Sequence, residues 1–377
     1  MSGKKPFSRD ITSTIPGSEY QVRVSEDIND SKWDEFVAKT QDGHHVQTSL
    51  WAQVKSVLKW KTVRIIVNEQ DRIVAGGQLL FRSVTPFVTV AYLTKGPVLG
   101  SEGKAVAEAI IQHAIQISQA NHAQMLVIQP PNFDKETAPL LPVCGFQPSS
   151  LDLAPTASVV IDLTQTQDQI LKQMKRQTRQ NILRSEREEI TVREGGEDDV
   201  PTFYRLHTVT SQRQKFVPYS LEYFMQMWRI LEPYGYIKLF LAEYKSESVS
   251  ALLVVPFGET VIPKILGWSG LYPERRPNDA VFWAAIQWGK VHEYKYFDFE
   301  GISRAGALAL LSGNPLPESR KHSPDFLKVG FGGQIVLYSI AYDKLFNPLL
   351  SWAYHKVSPR IGGHDIPSQI INWLRKR

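Results

Sequence analysis

The chain has 377 residues, of which 42% are hydrophobic and 21% charged, with 9 Trp, 14 Tyr and 17 Phe, and a formal charge of +5. So many aromatics and so little net charge exclude a disordered chain, and the length exceeds what one hydrophobic core usually sustains, so two domains are expected. The small positive excess permits an anionic partner, whether a phosphate-bearing substrate, RNA or an acidic membrane surface, without demanding one. The single cysteine, Cys144, excludes an intrachain disulfide and a cysteine-based zinc site, which points to a reducing, cytoplasmic setting. No apolar run suits a signal peptide, and none approaches the roughly 18 residues of a membrane span, so neither is expected.

In chain order, "INDSKWDEFVAKT" (28–40) places an Asp cap before Trp33, Phe36 and Val37 at helical spacing. "TVRIIVNEQDRIVAGGQLLF" predicts a hairpin from Val63 to Phe81, two β-branched runs around a polar turn. A strand "FVTVAYL", a loop "TKGPVLGSEG", an amphipathic helix "KAVAEAIIQHAIQISQANH" and a buried strand "MLVIQ" follow, and this unit ends near Cys144. The second half repeats the order: helix "DDVPTFYRLHTVTSQR", hairpin "YIKLFLAEYKSESVSALLVVPF", strand "VIPKILGWS", loop "GLYPERRPNDA", helix "VFWAAIQWGKVHEY" and strand "KYFDFEG". Matching Ile65 with Leu239 and Val106 with Phe282 gives offsets of 174 and 176, that is 239 less 65 and 282 less 106. Agreement to about two residues between separate landmarks means a duplicated domain and not a solenoid. Each copy reads as a mixed sheet flanked by helices.

Between the copies, "TQDQILKQMKRQTRQNILRSEREE" (166–189) predicts one helix carrying Lys172, Lys175, Arg176, Arg179, Arg184 and Arg187, with an apolar stripe through Ile170, Met174 and Ile182. Such a face is either solvated or a phosphate-binding surface for RNA or a nucleotide-linked substrate, and the sequence leaves both open. The tail from Tyr342 mixes Phe346, Leu349, Trp352, Tyr354 and Trp373 with a basic end; packing on the domains is the ordinary expectation and contact with a membrane surface the other.

Walker loops, HExxH, GxSxG and a Cys paired with His are absent. His44 and His45 are adjacent and unsuited to one metal, His113 and His122 lie on or near a structural helix, and no metal site is expected. The order around "LYPERRPNDAVFWAAIQWGKVHEYKYFDFEG" (271–301) is that in which Gcn5-related acyltransferases build a coenzyme A cradle, with glycine N–H groups around a pyrophosphate at a helix start. Here the loop reads Arg275, Arg276, Pro277, Asn278, Asp279, Ala280. Pro277 has no N–H and Asp279 brings negative charge where phosphate would lie. "GPVLGSEG" in the first copy also lacks the pattern, so a different activated acyl group is expected, and no cofactor.

"VQTSLWAQVKSVLKWKTVRI" (46–65), "YLTKGPV" (92–98), "LKQMKRQTRQNILRSER" (171–187), "TSQRQKFVPYSLEYF" (210–224), "YKYFDFEGI" (294–302) and "FLKVGFGG" (326–333) resemble, in order and over most of the chain, the FemABX family. The resemblance implies an α/β (α+β) fold of two tandem Gcn5-related N-acyltransferase-like domains, taken as 1–153 and 154–334, with the tail 335–377 packing back on the first. It implies an aminoacyltransferase that moves an amino acid from aminoacyl-tRNA to the stem peptide of a UDP-linked or lipid-linked peptidoglycan precursor. The corresponding setting is cytoplasmic, with peripheral contact at the inner membrane face and no DNA partner. Within the motifs, Lys328 matches the lysine placed against the reacting carbonyl, where a cation stabilises an oxyanion. Lys55 and Arg213 match positions that hold the acceptor's diphosphate, and Tyr219 and Tyr223 resemble acceptor-pocket tyrosines. Leu327 stands where relatives often have Phe, and Gly100 where an acidic residue is common, which opens substrate identity. The alternatives are an N-acyltransferase with another donor or amine in exopolysaccharide or lipid synthesis, and a non-catalytic module that binds precursors or RNA.

Overall fold

The computed structural model describes residues 13–85, 88–101, 103–317 and 323–347. β1 (Ser13–Thr14) and β2 (Tyr20–Ser25) precede α1 (Ser31–Lys39), whose first turn is capped by Asp30 Oδ1 accepting from the Trp33 N–H. α2 (Ser49–Ser56) begins where the Thr48 hydroxyl accepts from the Trp51 N–H; both are side-chain caps of orphan amides. β3 (Lys61–Glu69), β4 (Arg72–Thr85), β5 (Val88–Thr94) and β6 (Val98–Leu99) follow. α3 (Lys104–Ala120) buries Val106, Ile110, Ala114 and Ile117, one face at helical spacing. β7 (Ala123–Gln129), α4 (Leu140–Val143) and β8 (Gln147–Pro148) come next.

β9 (Ala157–Asp162) leads into α5 (Gln167–Gln173) and α6 (Arg176–Arg187). The single helix expected over 166–189 is therefore two. Met174 and Lys175 are extended; the Lys175 N–H leaves the helical ladder for the Gly330 carbonyl at 2.9 Å. Arg179 Nη1 caps the end of α5, donating to the carbonyls of Leu171, Lys172 and Met174. Gly332, at φ +76°, comes so close that a Cβ there would overlap the Gln173 carbonyl, so only glycine allows this approach.

β10 (Thr191–Gly195), α7 (Val200–Gln214), α8 (Leu221–Leu231), β11 (Lys238–Tyr244), β12 (Glu247–Phe257) and β13 (Thr260–Trp268) follow. The described chain continues with α9 (Pro277–Val291), β14 (Tyr296–Asp298), α10 (Arg304–Leu311), α11 (Pro324–Gly330), β15 (Gln334–Leu337) and β16 (Tyr342–Leu345).

Two mixed sheets result. The first runs β1-β2-β3-β4-β5-β7-β16-β8 with β6 on β4, and the second runs β10-β11-β12-β13-β14-β9-β15. Each has one parallel pair among the described strands, β5 with β7 and β13 with β14, joined by the crossover helices α3 and α9. The hairpin β3–β4 corresponds to β11–β12, so the sequence repeat is a repeat of topology. Beyond the parallel pair each sheet takes an antiparallel strand from elsewhere in the chain, β16 in the first and β9 in the second. The first core centres on Ile65, Leu79, Ile110 and Leu126, the second on Phe240, Leu252, Ile286, Phe297 and Phe331.

One compact unit takes the chain through Ala154 and again from Ser339, the other spans Pro155–Tyr338. Reading 335–377 as a tail on the first domain is corrected at its start: Gln334–Leu337 pair with Val160 to Ala157 of β9 in the second sheet, and only β16 joins the first. The β-branched, apolar run "QIVL" meets an open edge of β9 before the chain can leave. Leu349, Trp352, Tyr354 and Trp373 lie outside the described residues.

Candidate active site

In the second unit, β13 and β14 pair in parallel at only two positions, Thr260 with Tyr296 and Val261 with Phe297. β14 then ends at Asp298 while β13 continues to Trp268, so the sheet opens at this point. Just past the end of β14, α11 brings Lys328, whose Nζ donates to the carbonyls of Phe299 at 3.1 Å and Gly301 at 2.6 Å. Burial pulls the Lys328 ammonium below its ordinary pKa, and the charges of Asp325, Glu300 and Asp298 oppose that fall. An ammonium has three donors; two are spent on backbone carbonyls and one remains for an incoming oxygen. An oriented cation of this kind stabilises negative charge developing on a carbonyl oxygen.

The floor of the opening is Asp298, whose carboxylate accepts from Ser158 Oγ at 2.5 Å, Tyr338 OH at 2.6 Å and the Glu300 N–H at 2.8 Å. Burial drives this carboxyl above its ordinary range, Glu300 adds to the rise, and the three hydrogen bonds oppose it. Burial likewise raises the Tyr338 phenol, with Asp298 the next cause. Lys264 reaches across from β13 to Glu300, Nζ to Oε2 2.9 Å. The β12–β13 register slips between Leu253, which pairs with Ile265, and Val254, which pairs with Pro263, leaving Lys264 as the extra residue of a bulge. Bulges re-aim side chains in this way. Sequence reasoning missed Lys264, Asp298, Ser158 and Tyr338; the acidic residues in "DFE" were the one available signal.

The start of α9 answers what replaces a pyrophosphate. Tyr272 and Arg276 both take positive φ, +52° and +58°, and Pro277 occupies the first helical position. Asp279 in the first turn is 7% exposed and accepts from Asn181 Nδ2 of α6 at 3.0 Å. Burial raises its carboxyl, while the Asn181 bond and the Arg276 charge counter this. Arg275 stacks 4.1 Å from the Tyr244 ring centroid and donates to the Glu188 carbonyl at 2.7 Å. The helix start thus carries its own carboxylate and is covered by α6, an arrangement that does not fit a coenzyme A pyrophosphate.

Arg213, at the end of α7, lies 4.4 Å from the Trp268 ring centroid and donates to the Trp268 carbonyl at 3.3 Å. Burial lowers its pKa. Lys264 and Trp268, on whose ring Arg213 rests, lie about 13 Å apart along β13 at strand rise. Tyr223 is 2% exposed and belongs to the core; Tyr219 stacks on it with centroids 4.3 Å apart and is the more accessible ring. Lys55 stands in the first unit, 4.9 Å from the Trp51 ring centroid and 5.9 Å from that of Trp60. His45 packs edge-on to Trp51, and His113 bonds the Ala109 carbonyl at 2.8 Å. Among the described residues no group of three or more His, Cys, Asp or Glu could hold a metal ion, and no helix is long and apolar enough to cross a membrane.

A family model described as the FemAB family matches residues 28–138 and 145–253, stretches that include Lys55, Arg213, Tyr219 and Tyr223 but end before Lys328. The lipid II:glycine glycyltransferase of Staphylococcus saprophyticus is 27% identical over 233 residues, 59% of this chain and 56% of that protein. The Staphylococcus aureus protein of the same name is 26% identical over 227 residues, 57% of this chain and 54% of the relative. The chain thus matches little more than half the length of these relatives. Among solved structures, the crystal structure of FemX superposes with a TM-score of 0.74 and 18% identity over 87% of this chain and 98% of its own. A tandem GNAT protein from the clavulanic acid biosynthesis pathway gives a TM-score of 0.52 at 10% identity, over 87% of this chain and 99% of its own.

Proposed function

Because the chain belongs to the FemAB family, we propose that it is an aminoacyltransferase that moves an amino acid from aminoacyl-tRNA to the stem peptide of a peptidoglycan precursor, building the cell-wall bridge. The observation that carries the reading is the Lys328 ammonium, oriented by two carbonyls just past the end of β14. In the reaction the acceptor amine attacks the ester carbonyl, a C–N bond forms, the C–O bond to the tRNA 3′ oxygen breaks, and the amine proton ends on that oxygen. Lys328 stabilises the oxyanion between these events. Arg213 binds phosphate of the acceptor, and Tyr219, backed by Tyr223, lines the acceptor pocket.

The names of the relatives favour a lipid-linked acceptor, which the protein would meet at the inner membrane face from the cytoplasm. A tRNA donor draws support from the exposed Lys172, Lys175, Arg176, Arg184 and Arg187 on α5, α6 and their junction. The Lys175 ammonium lies 5.5 Å from the ring centroid of Phe326, which is 45% exposed two residues before Lys328. Cations beside an accessible aromatic ring suit a single-stranded nucleic acid end. The absence of a fitting pyrophosphate cradle at α9 agrees with a donor other than coenzyme A.

The test is transfer of radiolabelled amino acids from a pool of charged tRNA to purified lipid-linked and UDP-linked precursors, with and without ribonuclease. Label in the lipid-linked precursor that ribonuclease abolishes is the expected result. Transfer from a carrier thioester with none from charged tRNA would overturn it.

A further inference from the structure

The turn from Asp298 to Gly301 is tied at several polar groups, and one of its residues is strained. Glu300 has φ +35°, which L residues rarely adopt and which persists only where the surroundings dictate it. Its neighbours on both sides, Phe299 and Gly301, turn their carbonyls to the one ammonium of Lys328. Its N–H is held by Asp298 Oδ1 at 2.8 Å. Its carboxylate, 6% exposed, is held by the bulged Lys264 at 2.9 Å.

We propose that the Lys264–Glu300 ion pair is a positioning device for Lys328. It pins the turn so that two backbone carbonyls take two of the three ammonium donors and the third is left for the oxyanion. The inference rests on the reading of Lys328 given above. Lys264 has a second part in it: a carboxylate this close to Lys328 and without its own cation would draw the ammonium off the carbonyls into a direct ion pair, and Lys264 prevents that. The charged groups facing Lys328 are Asp298 and Glu300 from the end of β14 and Asp325 from α11, with Lys264 across Glu300 on β13 and Tyr338 behind Asp298.

Competitive acetylation of the full chain with acetic anhydride, followed by mass spectrometry across a pH series, reads the protonation midpoint of Lys328 without any substrate. Glu300→Gln removes a nearby negative charge and is expected to lower the midpoint by about one unit; Lys264→Met removes the cation paired with that charge and is expected to raise it by about one unit. Lys264→Arg keeps the pair and restores the wild-type midpoint. In the transfer assay both charge-removing variants are expected to lower kcat about tenfold with KM unchanged, as for a residue that acts only in the transition state. Should Glu300→Gln fail to fold, the Lys264 variants carry the test, because Lys264 lies outside the strained turn.

A midpoint and kcat equal to wild type in Lys264→Met would overturn the proposal. If Lys328→Met is inactive while Lys264→Met matches wild type, the positioning device alone falls. If Lys328→Met is as active as wild type, the reading of Lys328 falls with it.

Discussion

Replacing Lys328 by Met keeps an unbranched apolar stem one atom shorter and removes the donors and the charge. In the native chain the ammonium gives one hydrogen bond each to Phe299 O and Gly301 O, 3.1 and 2.6 Å, so in the proposed role a single donor serves the reaction. Losing one donor to a developing oxyanion costs about 10²–10³ in kcat, or about 2.7–4 kcal/mol. Folding suffers less. Each carbonyl left without its donor costs about 1–3 kcal/mol, but Met no longer bears the desolvation of a buried charge, and we expect a net loss of about 2 kcal/mol out of the roughly 5–15 a domain holds. The variant therefore stays native at 25 °C. The assay is steady-state transfer from charged tRNA to lipid-linked precursor, with a urea unfolding curve on the same sample. A kcat within about threefold of wild type in native protein would refute the reasoning. So would a kcat loss that merely follows the unfolded fraction.

Arg176→Gln and Arg184→Gln on α6 should weaken binding of charged tRNA and flatten its dependence on log salt by about 0.7 for each phosphate no longer neutralised; an unchanged slope in filter-binding titrations would remove α6 from the RNA surface. Gly332→Ala should destabilise by at least about 1–2 kcal/mol, since a left-handed φ is imposed on Ala and its methyl meets the Gln173 carbonyl; an unshifted urea midpoint would contradict the tight approach. For Asp279 the folded carboxyl is raised above its ordinary 3.8 by burial, so the stability it contributes is present below that value and is lost as pH rises through the folded one. Asp279→Asn should therefore gain stability relative to wild type as pH rises toward neutrality, and a stability difference that stays flat with pH would count against the buried carboxylate. Acetyl-CoA should give no saturable heat in titration calorimetry, because Asp279 and α6 take the place of its pyrophosphate.

Much of the fold was legible in the chain itself because its signals are local. Caps such as Asp30 and Thr48, the β-branched runs of β3 and β11, and the apolar faces of α3 and α9 act over a few residues. Their recurrence at offsets of 174 and 176 sufficed to predict two like sheets. The damaged cradle at Arg275 to Ala280 could also be read directly, since Pro277 has no N–H and Asp279 carries negative charge.

Tertiary structure decided what depends on partners distant in sequence. The split of α5 from α6 is one case: propensity favours one long helix, but the Lys175 N–H goes to Gly330, 155 positions along the chain (330 less 175), and Gly332 allows the two segments to meet. The strands that complete each sheet are another, since β9 and β16 come from outside the repeated order and β15 takes the edge of β9 that a simple domain division assigns elsewhere. The surroundings of Lys328 are the third. Lys264 on β13 and Glu300 just past the end of β14 lie 36 residues apart, and it is the bulge at Lys264 and the strained φ of Glu300 that bring their charges together. Short-range periodicity determined which elements form; the placing of charges at the open end of β14 required the long-range contacts that hold those elements in register.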